Sequence, residues 1–325
     1  MGFHSLVAVL LRYDCTADQK LDALEEAAKS GRVEIVRLLV EAGAPVERLP
    51  FWCLDEIVNR PMIEYLLDHG LDLSWKDGLA QMLTYRRIKP LLGMFLQGRS
   101  RFPAWELQAA KALCEFVRKR DLKWISLMIW ARADPLLRVG PISEDLCGEE
   151  DDDYLDSAAE IALIHDDFEI FRMLKISPTP EQAQNLLNSM WSVRGLEVLE
   201  LLFEAGADPN ALSPDSGSLL HRMLESFGRS CDSRFARRDP RKEVETISWL
   251  IRKGAKWVVP ENDWSLDSLR RQFYCDSGEL AVEVVRLLDA GEACDKGLIR
   301  VFVDKPKMRG WVRLHEPELL VRLLQ

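Results

Sequence analysis

Histidines, cysteines, tryptophans and two dense charge runs are the residues whose types could do chemistry in this chain of 325 residues. The five histidines are His4, His69, His165, His221 and His315, and no two form a His-x-x-x-His pair. The helical zinc ligation that such spacing builds is therefore not encoded. The seven cysteines, Cys15, Cys53, Cys114, Cys147, Cys231, Cys275 and Cys294, are scattered, odd in number and without a Cys-x-x-Cys pair. A disulfide framework or zinc site would group them, so they read as reduced thiols of a cytosol-like compartment. The Gly-x-x-x-x-Gly-Lys phosphate loop, the Gly-x-Gly-x-x-Gly fingerprint and the Gly-x-Ser-x-Gly elbow are all missing from the chain. No nucleophile, base and orienting group come together, which leads to the expectation of a non-enzyme holding no metal and no cofactor.

The acidic run holds Glu149, Glu150, Asp151, Asp152 and Asp153. It lacks the central glycine and twelfth-position glutamate of a calcium loop. It reads first as a solvated loop whose acids precede a helix from about Leu155, favouring that helix's positive end. The other reading is a docking strip for a basic partner. The basic segment carries Arg229, Arg234, Arg237, Arg238, Arg241 and Lys242, with Asp232 and Asp239 between them. Only one aromatic, Phe235, is interleaved, so no stacking platform for nucleic acid is visible. A mobile loop is the first reading, protein docking the next, and phosphate or RNA binding the third.

Ten tryptophans are the strongest departure in composition. Trp249 lies on an apolar stripe with Ile247, Leu250 and Ile251 and is expected in the core. Trp75, Trp257 and Trp264 instead follow the glycines Gly70 and Gly254. Each is either an exposed binding anchor or a cover folded back on its neighbour.

The elements that must position these residues form a recurring pattern. A short helix with apolar residues at helical spacing ends in a small-residue stop, clearest at Val33–Ala44 and Leu196–Asn210. Further copies run from Met62 to Gly70, Glu245 to Ala255 and Val282 to Gly291. Gly43, Gly70, Gly206, Gly254 and Gly291 are expected to take the left-handed conformation that closes a helix. Gly98 also stands in the series, as does Arg132 within Ala131-Arg132-Ala133-Asp134-Pro135. A helix of about ten residues is marginal alone in water, so each needs a neighbour. Candidate first helices are Asp22–Lys29, Trp52–Asn59 and Pro180–Ser192.

Gly206-Ala207-Asp208-Pro209-Asn210 resembles the loop that closes an ankyrin repeat, and Ser218-Leu219-Leu220-His221 resembles the Thr-Pro-Leu-His that opens the next. Ser30-Gly31-Arg32-Val33-Glu34-Ile35-Val36 is similar to the family's inter-helix turn and second helix. The resemblance implies an all-α, helical-hairpin repeat solenoid with about nine units, one array over residues 1–325 with loop insertions near 141–153 and 228–243. A helical-hairpin solenoid of another family is the structural alternative. The family likeness further implies that His221 hydrogen-bonds backbone between repeats and that loops after the stops project as fingers.

There are 43 basic and 53 acidic residues, a net charge of −10, with 47% hydrophobic residues. Such a surface repels phosphate backbones and anionic lipid and attracts basic protein surfaces. The apolar run Leu6–Leu11 is far shorter than a membrane span and reads as a capping helix, with a cleaved signal as the weaker alternative. The final segment, with Leu319, Leu320, Leu323 and Leu324, packs back or docks a partner or second copy. The expectation is a soluble, cytoplasmic scaffold for protein–protein interaction, binding and inhibiting a basic partner such as a toxin or nuclease in an immunity role. A host-directed effector, adaptor or defence-system sensor is the alternative, with nucleic-acid binding through residues 229–242 as another class.

Overall fold

Short amphipathic segments become helices here because each start and stop is chemically marked. The computed structural model describes residues 3–54, 59–85, 89–142, 155–165, 167–190, 195–213, 217–230, 240–258, 278–293, 299, 303, 310, 312–314 and 316–324. Among these residues the regular elements are helical, with isolated antiparallel bridges at Val139–Asp156 and Ser213–Gly217. No helix among them is long and apolar enough to cross a membrane.

The chain packs as two units, Met1–Ile161 and Ala162–Gln325. The first contains α1 (Phe3–Leu10), α2 (Ala17–Lys29), α3 (Val33–Glu41), α4 (Arg60–Asp68), α5 (Gly78–Thr84), α6 (Lys89–Gly98), α7 (Ala104–Arg118) and α8 (Leu122–Trp130). The division falls within α9 (Ala158–Ile164). The second contains α10 (Phe168–Met173), α11 (Pro180–Ser189), α12 (Leu196–Glu204), α13 (Leu219–Ser230), α14 (Pro240–Arg252), α15 (Gly278–Ala290) and α16 (Pro317–Leu324).

Starts use reciprocal caps. At Thr16 the hydroxyl accepts from the Gln19 N–H at 3.3 Å while the Gln19 side chain accepts from the Thr16 N–H at 3.0 Å. Thr179 with Gln182, and Ser157 with Glu160, repeat the device. Within a pair, α2 turns into α3 through Gly31 (φ 64°), and α7 into α8 through Arg120 (φ 53°). Asp121 then caps α8 by accepting from the Trp124 N–H at 3.2 Å.

Stops share one geometry. The N–H groups of Ala44, Leu71, Ala133, Ala207, Ala255 and Ala293 donate to the carbonyls five residues back, on Leu39, Leu66, Met128, Leu202, Leu250 and Leu288, at 2.9–3.1 Å. Both members of every pair are buried, so the hydrogen bond and the apolar contact close the helix together. The residue before each donor is left-handed: Gly43, Gly70, Arg132, Gly206, Gly254 and Glu292. One expectation is corrected by this: at the last stop Glu292 (φ 46°) turns the chain in place of Gly291. Gly98 ends α6, with its backbone outside the left-handed region. Gly291 is needed for space, because a Cβ there would collide with Ile251 of α14.

The paired helices bury their stripes on each other. α2 packs on α3, α5 on α7, α7 on α8, α11 on α12, α13 on α14, and α14 on α15. Leu24, Val36, Ile63 and Leu66 are fully enclosed in the first unit, as are Leu199, Leu202, Ile247 and Leu250 in the second. Each such side chain contributes about 1.5–3 kcal/mol on burial, which is what a nine-residue helix lacks in isolation.

Boundaries depart from the sequence reading at several points. The first helix expected at Trp52–Asn59 is a 3-10 turn over Phe51–Leu54 as far as it is described. α9 starts at Ala158, not Leu155. α13 runs on to Ser230 and α14 begins at Pro240, so both ends of the insertion placed at 228–243 are helical. The insertion placed at 141–153 lies mostly outside the described residues. Its flanks are joined by the Val139–Asp156 bridge, with backbone hydrogen bonds of 3.0 and 3.1 Å.

Candidate functional site

Beyond Gly70 the chain enters the loop that carries Trp75. The Asp72 carboxylate accepts from the Ser74 N–H at 2.8 Å, the Asx turn also made by Asp134 with Leu136 and Asp208 with Asn210. The loop then winds through a 3-10 turn, Trp75–Asp77, with Lys76 (φ 49°) and Asp77 (φ 55°) left-handed in succession. Neither residue is glycine, so each position costs about 1–2 kcal/mol of backbone strain.

A buried network offsets that strain. Asp77 is 5% exposed, and Lys111 Nζ reaches both its carboxylate oxygens at 2.9 Å. Gln108 Nε2 donates to Asp77 Oδ1 at 2.8 Å, while Gln108 Oε1 accepts from the Ala80 N–H at 3.3 Å. Gln81 Nε2 donates to the Lys76 carbonyl at 3.0 Å. Burying two opposite charges is unfavourable unless both are well bonded, and here they are. Gln108 and Lys111 stand on α7, so the loop is fastened to the helix beneath it. What it presents is Trp75, 48% exposed, with Lys76 Nζ 4.7 Å above its ring centroid. A half-exposed indole on a loop whose backbone is so fastened suits contact with another surface.

Trp257 differs. It is 3% exposed, and its indole N–H donates to His221 Nδ1 at 2.9 Å. Trp257 is therefore a core residue of the second unit, which removes it from the exposed anchors. His221 must keep Nδ1 unprotonated to accept that bond. Burial, and then the charge of Arg222, lower its pKa to about 4, which keeps the imidazole neutral. The backbone bonding expected of His221 is done by Ser218. Its hydroxyl donates to the Lys256 carbonyl at 2.9 Å and accepts from the Val258 N–H at 3.1 Å. Arg222 binds the carbonyls of Asn188 and Met190 through Nη1, tying α13 to the end of α11. Trp249 is buried against Phe203, as its stripe implied.

Trp264, Glu149, Glu150, Asp151, Asp152, Asp153, Arg234, Arg237 and Arg238 lie outside the described residues. Sequence reasoning missed Asp77, Gln108 and Lys111, because partners more than thirty residues apart leave no local signal. It also missed Trp130, which is 63% exposed at the end of α8. Of the thiols, burial pushes Cys114 up to about 12, which leaves it a neutral group facing the Asp156 carbonyl. Among the described residues no group of three His, Cys, Asp or Glu side chains is placed to hold a metal ion. Comparison with protein-family models and with curated proteins gives no match.

Proposed function

We propose that the chain is a protein-binding module built as an ankyrin-like array of about nine helical hairpins, and that Trp75 is an anchor for its partner. The observation that carries the binding reading is the half-exposed Trp75 on a strained loop fastened by the buried Asp77–Lys111 pair. Strain held by a dedicated network supports a function for what the strained loop displays. The array is supported by six helix stops of one geometry and by the Ser218 and His221 contacts at the start of α13. The net charge of −10 favours a basic partner met in a cytosolic setting, and masking the basic site of a toxin or nuclease is the role that fits.

The experiment is affinity capture from lysate of the native source, with the wild-type chain and Trp75→Ala side by side at low and moderate salt. The expected result is one basic protein, captured stoichiometrically by the wild type, released by salt and lost in the variant. Equal capture by Trp75→Ala would overturn the anchor. Nucleic acid in the eluate in place of a protein would overturn the binding class.

A further inference from the structure

A cleft of about 660 Å³ opens in the second unit between α10, the start of α12 and the start of α14. That volume falls in the range of small-molecule sites, about 300–1,000 Å³. Its apolar lining comes from Phe168, Phe171, Ile176, Val198 and Leu201. Phe171, Ile176 and Val198 are otherwise buried, so these are core side chains that the cleft lays bare at one edge.

Five charged residues border this lining: Arg172, Lys175, Lys242, Glu197 and Glu245. Arg172 is engaged, its Nη1 lying 3.3 Å from Glu197 Oε2 and its Nε donating to the Phe168 carbonyl. The ammonium groups of Lys175 and Lys242 make no hydrogen bond or ion pair among the described residues, their bonds being backbone ones to Arg172 and Thr246, and Glu245 is the acid left to set against them. The cleft thus holds a surplus of positive charge within a chain whose net charge is −10. An uncharged apolar ligand would gain nothing from the two lysines. A cation would be repelled by them. A ligand that joins an apolar body to one negative group satisfies both parts of the lining.

We infer that this cleft binds an amphipathic organic anion, with its apolar body on Phe168, Phe171 and Leu201 and its carboxylate or sulfonate against Lys175 and Lys242. The inference is separate from the protein-binding reading, which rests on a loop in the other unit.

The lysines can be changed without disturbing the fold. Lys175 is left-handed (φ 49°), and asparagine tolerates that conformation better than most residues. Lys242 sits in the first turn of α14, where removing a positive charge favours the helix dipole. The test titrates the full-length chain with anilinonaphthalenesulfonate, followed by fluorescence, and then displaces the dye with dodecanoate or dodecylamine. Saturable binding, displacement by dodecanoate and not by dodecylamine, and an affinity about tenfold weaker in Lys175→Asn with Lys242→Gln are expected. Leu201→Trp, which fills the cleft without changing charge, is expected to weaken binding as well. No saturable binding up to about 1 mM dye would overturn the inference. So would unchanged affinity in the double variant, or equal displacement by the amine.

Discussion

Trp75 and Trp257 both stand in loops that follow a left-handed helix stop, and one is half exposed while the other is sealed in the core. The difference lies in what each loop meets. Beyond Gly254, the Trp257 indole finds His221 Nδ1 and its backbone N–H finds the Ala293 carbonyl. Beyond Gly70, the polar groups of α7 are engaged by Asp77, and the loop is fixed by its carboxylate with the indole left outside. An aromatic after a stop is therefore core or surface according to whether a packed neighbouring element offers its ring a slot and its N–H an acceptor.

The largest effect that would break this contrast is on Trp257. Trp257→Ala is expected to destabilise the chain by about 3–5 kcal/mol, the usual range for emptying a buried tryptophan site. Urea unfolding followed by far-UV circular dichroism measures it. A midpoint close to wild type would mean that the indole is not sealed in the core.

Lys111→Met comes next. It leaves the Asp77 carboxylate buried with Gln108 and without its cation, at a cost of about 3–5 kcal/mol at most. Adding Asp77→Gly removes both the stranded charge and the left-handed strain, so most of the loss should return. A double variant as unstable as the single would show that the loss is not the cost of a stranded carboxylate.

His221 makes the second unit sensitive to acid. Its folded pKa of about 4 lies below the ordinary 6.5, so between these values the unfolded chain binds the extra proton. The stability from this site is fully present above pH 6.5 and is lost as the pH falls toward 4, by about 3 kcal/mol in all. The check is the difference in unfolding free energy between wild type and His221→Asn across that window. A constant difference would exclude His221 as the source.

Sequence reasoning reached the helix stops because glycine marks a left-handed position chemically, as at Gly43, Gly70, Gly206 and Gly254. Arg132 was legible through its flanking Ala131 and Ala133-Asp134-Pro135, although arginine itself says nothing about φ. Lys175 and Glu292 lack such a frame, and their left-handed backbones were invisible in advance. The fate of Trp257 was equally closed to local reading, because its acceptor lies 36 residues earlier in the chain. Asp77 carries no local signal of its role, since only folding brings Lys111 to it. Local chemistry announces where helices begin and end, and long-range pairing decides which loop side chains stay outside.

The smallest expected effect is the one that sharpens the contrast most. Trp75→Ala removes a half-exposed ring and one contact with Lys76, so stability should change by less than about 0.5–1 kcal/mol. The backbone of the loop is set by Asp77, Gln108 and Lys111, none of which bonds the indole. Circular dichroism and urea unfolding should therefore overlay wild type, while partner capture is lost. A fall of several kcal/mol would instead make Trp75 a second Trp257, and the two loops would then differ only in degree of burial.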